Sequence, residues 1–201
     1  MNATVLQPQQ RPQSAKREAI LEAALERFAE LGVNGVPVPD IASRARVGTG
    51  TIYRYFENKE ALVNALFREE KKRFGKYLNQ IANPGAPPRE LFREHWQRMV
   101  EYARKYPQSF RFLELQDHLP YLDAHSRALE RHILKRLAAP SHSFQRQGVF
   151  RNDIRAEIIM ATVWGAFVNL MKAERAGYIE LSAEDIDAAR EACWRICAVN
   201  P

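Results

Sequence analysis

Residues 39–56 read PDIASRARVGTGTIYRYF. The stretch divides into two short helices about a tight turn at Arg46 and Val47. Pro39 suits a first helical turn, where its missing N–H costs nothing. Asp40 complements the positive end of the same helix. Ile41, Ala42 and Ala45 supply its buried side, and Val47 is expected to plug the core. Gly48 is an acceptable N-cap for the second helix, Thr49 to Tyr55. Ile52 and Phe56 are four apart and share the inward face. Thr49, Thr51, Tyr53, Arg54 and Tyr55 are then left at or near the surface. Such side chains do little for the stability of a two-turn helix, but they suit a duplex. Hydroxyls and Arg bond phosphates, and Arg or Thr reaches base edges. Gly50 lets the backbone approach closely. The pattern predicts a helix-turn-helix DNA reader.

Upstream, Ile20, Ala23, Ala24, Leu25, Phe28 and Leu31 recur at helical spacing and predict a helix from Ser14 to Leu31, stopped by Gly32. Lys16 and Arg17 stand at its start, where cations oppose the dipole, and hint at a phosphate contact. Residues 1–13, rich in Pro, Gln and Ser, read as a disordered arm. Downstream, Asn58 caps a fourth helix whose first residue, Lys59, completes an anion site. That helix becomes basic and continues to about Ala82. Asn83-Pro-Gly-Ala-Pro-Pro88 is the clearest linker. The expected organisation is therefore an arm over 1–13, a DNA-binding domain over 14–67 with its fourth helix running to about 82, and a helical domain over 83–201.

The second domain reads helical throughout. Pro107 and Pro120 each open a helix, and Pro140 to Phe150 reads as a loop. Ile154 to about Arg175 is apolar on nearly every side, which in a small domain predicts one face on the core and another on a second subunit. Ser182 caps the last helix. Trp96, Met99, Phe110, Phe112, Met160, Trp164 and Phe167 are rings and thioethers on these helices, a chemistry that suits a large apolar ligand. His95, Glu114, Gln116 and Asn169 offer polar selectivity.

Bulk properties set limits. No apolar run approaches the roughly 20 residues of a bilayer span, and no signal peptide is evident, so the expected location is cytoplasmic, with no membrane partner. The net charge is +6, with 13 basic against 9 acidic residues over 1–77 and 17 against 15 over 78–201. Cys193 and Cys197 read as small apolar residues of one packed helix. His118, His125 and His132 are seven apart, and His125 and His132 would lie about 10 Å apart along a helix axis, too far to share one ion. No metal and no cofactor is expected.

Residues 14–67 closely resemble the N-terminal domain of the TetR/AcrR family of bacterial transcriptional regulators. The resemblance rests on Phe28, Gly32, Asp40-Ile41-Ala42, Val47, Gly50-Thr51-Ile52-Tyr53, Tyr55-Phe56 and Asn58-Lys59-Glu60-Ala61-Leu62. It implies an all-α fold of about nine helices, with a three-helix reader followed by a helical bundle that binds ligand and dimerises. It also implies a homodimer formed through the last two helices, a double-stranded operator with half-sites roughly 34–36 Å apart, and a small, largely apolar effector that releases a repressor. By position, Thr49, Thr51, Tyr53 and Arg54 contact bases and backbone, Lys59 a phosphate, and Arg44 a base. Pro37, Gly48 and Thr49 depart from the family pattern of Ser or Thr at 37, Ser at 48 and Lys at 49. Fewer phosphate contacts follow, which shifts affinity toward the arm, Arg44, Arg46 and Arg54.

Two other classes compete. An enzyme in a helical bundle would need paired Glu-x-x-His motifs for a di-iron site, a nucleophile elbow, a P-loop or a dinucleotide glycine motif, and the sequence has none of them. A helical ligand-binding and dimerising module without specific DNA binding is the alternative, and the intact surface chemistry of Thr49 to Tyr55 argues against it.

Overall fold

The computed structural model describes residues 10–115 and 118–199, with side chains from residue 14 onward. Among these residues there are nine α-helices: α1 Gln10–Leu31, α2 Val38–Arg44, α3 Thr49–Tyr55, α4 Lys59–Leu78, α5 Pro88–Lys105, α6 Pro107–Glu114, α7 Ala124–Arg146, α8 Ala156–Arg175 and α9 Ala183–Cys197. The expected all-α class holds, with a single isolated antiparallel bridge, Phe150 to Ala198, among the described residues.

The chain separates into two compact units, one of residues 1–70 with 108–126, the other of 71–107 with 127–201. In the first, α1 to α3 close over Ile20, Phe28, Ile41, Ile52 and Leu62, all fully buried. Neither α2 nor α3 has a side-chain N-cap, since Pro37 and Gly48 occupy those positions. Burial of Ile41, Ala42, Ile52 and Phe56 therefore holds the pair in place. Residues 108–126 return to this unit, which the sequence pattern does not announce. Phe112 stacks on Phe28 with ring centroids 6.3 Å apart, and His118 lies 5.3 Å from Phe112 and 5.1 Å from Phe67.

Asn64 fastens that return. Its amide donates to the Glu60 and Tyr121 carbonyls, and its oxygen accepts from the Asp123 N–H at 2.8 Å. Arg68 donates to Asp123 and to Ser126, both at 3.0 Å. The Tyr121 hydroxyl donates to the Asn34 side chain.

The second unit has two clusters of rings. Phe74, Tyr102, Trp164, Phe167 and Trp96 form a chain of contacts with centroids 5.0–5.8 Å apart. Phe144, Phe150, Ile159, Trp194, Cys197 and Ala198 form the other, with Phe92 packed against it. The Arg151 N–H donates to the Cys197 carbonyl at 2.8 Å and the Val199 N–H to the Val149 carbonyl at 3.0 Å, which pins the end of α9.

Several boundaries differ from expectation for identifiable reasons. Helix α1 begins at Gln10 instead of Ser14, so Ser14 is interior to it; residues 1–9 of the expected arm lie outside the described residues. Pro120 sits in a 3₁₀ turn, and α7 starts after Asp123, whose carboxylate accepts from the Ser126 N–H at 2.7 Å. A side-chain N-cap outweighs proline as a start signal here. The expected loop at Pro140 is corrected too, since α7 continues through it to Arg146. An interior proline costs about 3 kcal/mol; burying Phe144 among the second ring cluster returns a similar amount, about 1.5–3 kcal/mol.

Helix α8 contains the apolar run Ile158 to Val168. Its 20 residues are long and apolar enough to cross a membrane by length and composition. Ala156, Ile159, Phe167 and Met171 nevertheless pack into the unit. The capping box on α9 is as expected, with Ser182 and Asp185 each accepting from the other's backbone N–H.

Candidate nucleic-acid interface and effector site

The first unit's basic side chains sort into two groups. Residues 14–70 hold eight Lys and Arg against nine Asp and Glu, a net −1. Arg17 pairs with Glu69, Arg27 with Asp40 and Glu30, Arg44 with Glu26, and Arg68 with Asp123. Lys16, Arg46, Arg54 and Lys59 form no ion pair among the described residues. The net figure hides a local surplus, and local patches decide association with an anionic partner.

On α3 the outward residues are Gly50, Tyr53 and Arg54, one turn apart, with Tyr53 51% exposed. Thr49 and Thr51 flank them and are half-buried. A Cβ on Gly50 would meet nothing within 4 Å, so the space over it is open to a ligand backbone. Tyr55 behaves differently. Its hydroxyl is buried without a hydrogen-bond partner, and its ring lies 6.5 Å from Phe56.

Arg44 is not free in this state. Its Nε and one terminal nitrogen donate to the two Glu26 oxygens at 2.5 and 2.7 Å, a bidentate pair. That hydrogen bond holds Glu26 below its ordinary pKa and Arg44 above its own. A phosphate or base must compete with Glu26 for Arg44. Lys59, at the first turn of α4, is half-buried with its ammonium 5.9 Å from the Phe28 ring centroid. Burial lowers its pKa. Asn58 caps α4 as expected, accepting from the Ala61 N–H at 2.7 Å. Lys16 is exposed on α1.

Arg46 is the residue whose special role the sequence does not reveal. It is the single non-glycine residue at positive φ among the described residues, at 55°. The Val47 N–H donates to the Ala42 carbonyl at 3.0 Å and the Arg46 N–H to the Ser43 carbonyl at 3.1 Å. This is a Schellman ending of α2, with arginine where glycine is the usual choice. The same ending closes α7 and α8 on Gly148 and Gly177.

The seven predicted effector residues do not form one set. Trp96, Met99, Met160, Trp164 and Phe167 belong to the second unit, whereas Phe110 and Phe112 belong to the first. Phe112 is fully buried between Phe28 and His118, a core position of the reader unit. Trp96 is 2% exposed and its Nε1–H is buried with no acceptor. Met99, Met160 and Trp164 are half-buried. Of the polar candidates, His95 donates from Nδ1 to the Leu91 carbonyl at 2.7 Å, Glu114 lies in the first unit, and Asn169 is exposed. Gln116 lies outside the described residues. A polar cleft of about 460 Å³ also opens in the second unit among Glu90, Glu94, Arg98, Glu101 and Arg190; none of the seven lines it.

Comparison with known proteins agrees with this arrangement. The family profile described as "Bacterial regulatory proteins, tetR family" matches residues 20–66, and that described as "Tetracyclin repressor-like, C-terminal domain" matches residues 67–199. The HTH-type transcriptional regulator RutR of Escherichia coli K12 is 35% identical over 98 residues, covering 49% of this chain and 46% of RutR. The aligned chain thus spans about half the length of that relative. The "Probable acrEF/envCD operon repressor" of the same organism is 25% identical over 166 residues, 78% of this chain and 74% of the relative. A TetR-family transcriptional regulator structure from Vibrio parahaemolyticus superposes with a TM-score of 0.75 at 26% identity, covering 91% of this chain and 98% of that one. With both halves matched in order and the helices in place, this chain belongs to the TetR family of bacterial regulatory proteins.

Proposed function

We propose that the protein is a ligand-responsive transcriptional regulator, acting as a repressor that binds a palindromic operator as a homodimer in the cytoplasm and leaves it when a small, largely apolar effector binds. The observation that carries the reading is the exposed set Gly50, Tyr53 and Arg54 on α3, beside cations that no carboxylate neutralises. Thr49, Thr51 and Tyr55 border that set. Lys16 and Lys59 supply phosphate contacts, and Arg44 joins them by exchanging Glu26 for DNA.

Dimerisation through α8 and α9 is supported by apolar side chains that the monomer leaves in water. Ile158 and Ile196 are each 46% exposed. Small residues Ala161 and Ala166, exposed on α8, permit close approach of a second helix. The effector region is supported by the linked rings of Trp96, Phe167 and Trp164, by the half-buried Met99 and Met160 of the same unit, and by the unpaired Trp96 indole N–H. An apolar molecule carrying one hydrogen-bond acceptor matches that chemistry. Its differential affinity for two arrangements of the helices is what shifts the DNA-binding population. No catalytic step belongs to this reading.

Selection of duplexes from a random pool by the purified protein tests the DNA arm, and enrichment of a palindrome is expected. On that duplex Arg54→Ala should lose about 1–3 kcal/mol and flatten the salt dependence by about one unit. An unenriched pool, or an Arg54→Ala variant that binds as tightly as the parent, rejects the reading. For the effector arm, mass spectrometry of material extracted from the purified protein should find an apolar compound that Trp96→Phe binds less well.

A further inference from the structure

Where the protein carries its charge is not where its reader lies. The second half of α4 and the whole of α7, residues 71–78 and 124–146, contain nine Lys and Arg and a single carboxylate, Glu130. That is a net +8, against +6 for the complete chain, so everything else sums to −2. The two helices are packed together within the second unit. Lys71 is 4% exposed and its ammonium reaches Glu130 at 3.5 Å, while a Cβ on Gly75 would lie 3.5 Å from the Ile133 side chain. The one carboxylate is therefore spent on the one buried lysine.

What remains outside is positive alone. Lys72, Lys76, Arg131, Lys135, Arg136 and Arg146 are exposed and form no ion pair among the described residues. Arg131, Lys135 and Arg136 lie within two turns of α7, so three cations share a stripe about 8 Å long. Soluble proteins ordinarily intersperse both signs on such a surface. Concentrating these six cations on two adjacent helices raises self-repulsion in the monomer, and an extended anionic partner relieves it.

We propose that this α4–α7 face is a second nucleic-acid contact, which holds the phosphate backbone of duplex DNA without reading its sequence. The inference rests on the proposed DNA-binding function and adds a surface to it. The composition of the face selects the partner. Leu134, 40% exposed, is the one large apolar side chain exposed on these segments. A membrane-seated helix needs an apolar flank, and the centre of a protein interface needs aromatic or aliphatic anchors. A polyphosphate backbone needs only spaced cations, and arginine suits phosphate by geometry.

The test uses the full-length protein and three duplex-binding measurements across a salt series. Neutralising the stripe in R131Q/K135Q/R136Q should weaken binding to a long random duplex about 10-fold and lower the salt slope by about 2–3, as expected for three phosphate contacts. The control R93Q/R155Q/R175Q removes the same charge from other surfaces and should leave both unchanged. Arg54→Ala, measured on the selected palindrome, reports the reader separately. If the stripe variant weakens DNA binding while Arg54→Ala does not, the second contact stands and the reader assignment fails. Equal slopes for the stripe variant and the parent overturn the inference, as does an equal loss in the charge control. Binding of the parent, but not the stripe variant, to phosphatidylserine vesicles with DNA binding unaltered also overturns it. Circular dichroism and the melting temperature establish that each variant is folded.

Discussion

At the scale of single residues, Arg46 and Cys197 show how side chains and backbone place opposing demands on one position. A left-handed arginine costs about 1–2 kcal/mol relative to an unstrained conformer. Arg46→Gly should therefore raise the stability of the reader by about 1 kcal/mol, read in chemical denaturation, yet weaken operator binding and flatten its salt dependence. Equal affinity in the variant would remove Arg46 from the interface. Cys197 is fully buried, and burial first, then the neighbouring Cys193, push its pKa up to about 12, partly countered by Arg151. The raised value means the thiol's contribution to stability is complete below the ordinary thiol range near 8.5. It is lost as pH climbs toward about 12. Iodoacetamide at mildly alkaline pH is expected to leave Cys197 unmodified in the native protein and to label it in denaturant. Neither the positive φ of Arg46 nor the Glu26 clamp on Arg44 is legible in the sequence. Arginine carries no local signal for positive φ, and residues 26 and 44 meet through the packing of two helices.

At the scale of elements, local periodicity was enough wherever burial follows it. The boundaries of α2 and α3, the Asn58 cap and the Ser182 capping box were readable because each depends on residues within four positions. Reading failed where a distant contact decided the outcome, as at Pro140, which Phe144 carries inside α7, and at the 108–126 return. Asn64 measures the strength of that return. It is 3% exposed, and Asn64→Ala would strand the Tyr121 carbonyl and the Asp123 N–H. Two part-buried groups losing their partners predict a loss of about 1–2 kcal/mol. Thermal unfolding of the variant checks this, and a change below about 0.5 kcal/mol would mean water replaces the amide. Side-chain chemistry and family resemblance point to an effector set but cannot separate a cavity ring from a core ring, and Phe112 stacks on Phe28.

At the scale of the whole molecule, α8 and α9 join an apolar exterior to a packed interior. The exposed Ile158 and Ile196 are expected to disappear from solvent in the homodimer. Ile158→Lys should move the protein from dimer to monomer in sedimentation velocity and abolish operator binding, because a single half-site contact is too weak to persist. A monomeric variant that still binds the palindrome at parental affinity would exclude this interface. The bias of exposed charge toward α4 and α7 was invisible in the totals for each half of the chain. Counting by sequence divides these two helices between the halves, and only their packing reunites them.

The ring stack of Phe28, Phe112, His118 and Phe67 has a practical consequence for anyone dividing or recombining such regulators. A cut between residues 66 and 67, where the two family profiles meet, separates Phe28 from the aromatic side chains that complete its core. A fragment ending there is expected to show little helical signal, whatever the quality of its helix-turn-helix. Grafting this reader onto another sensor therefore requires carrying residues 108–126 with it, as a second and discontinuous piece of the same part.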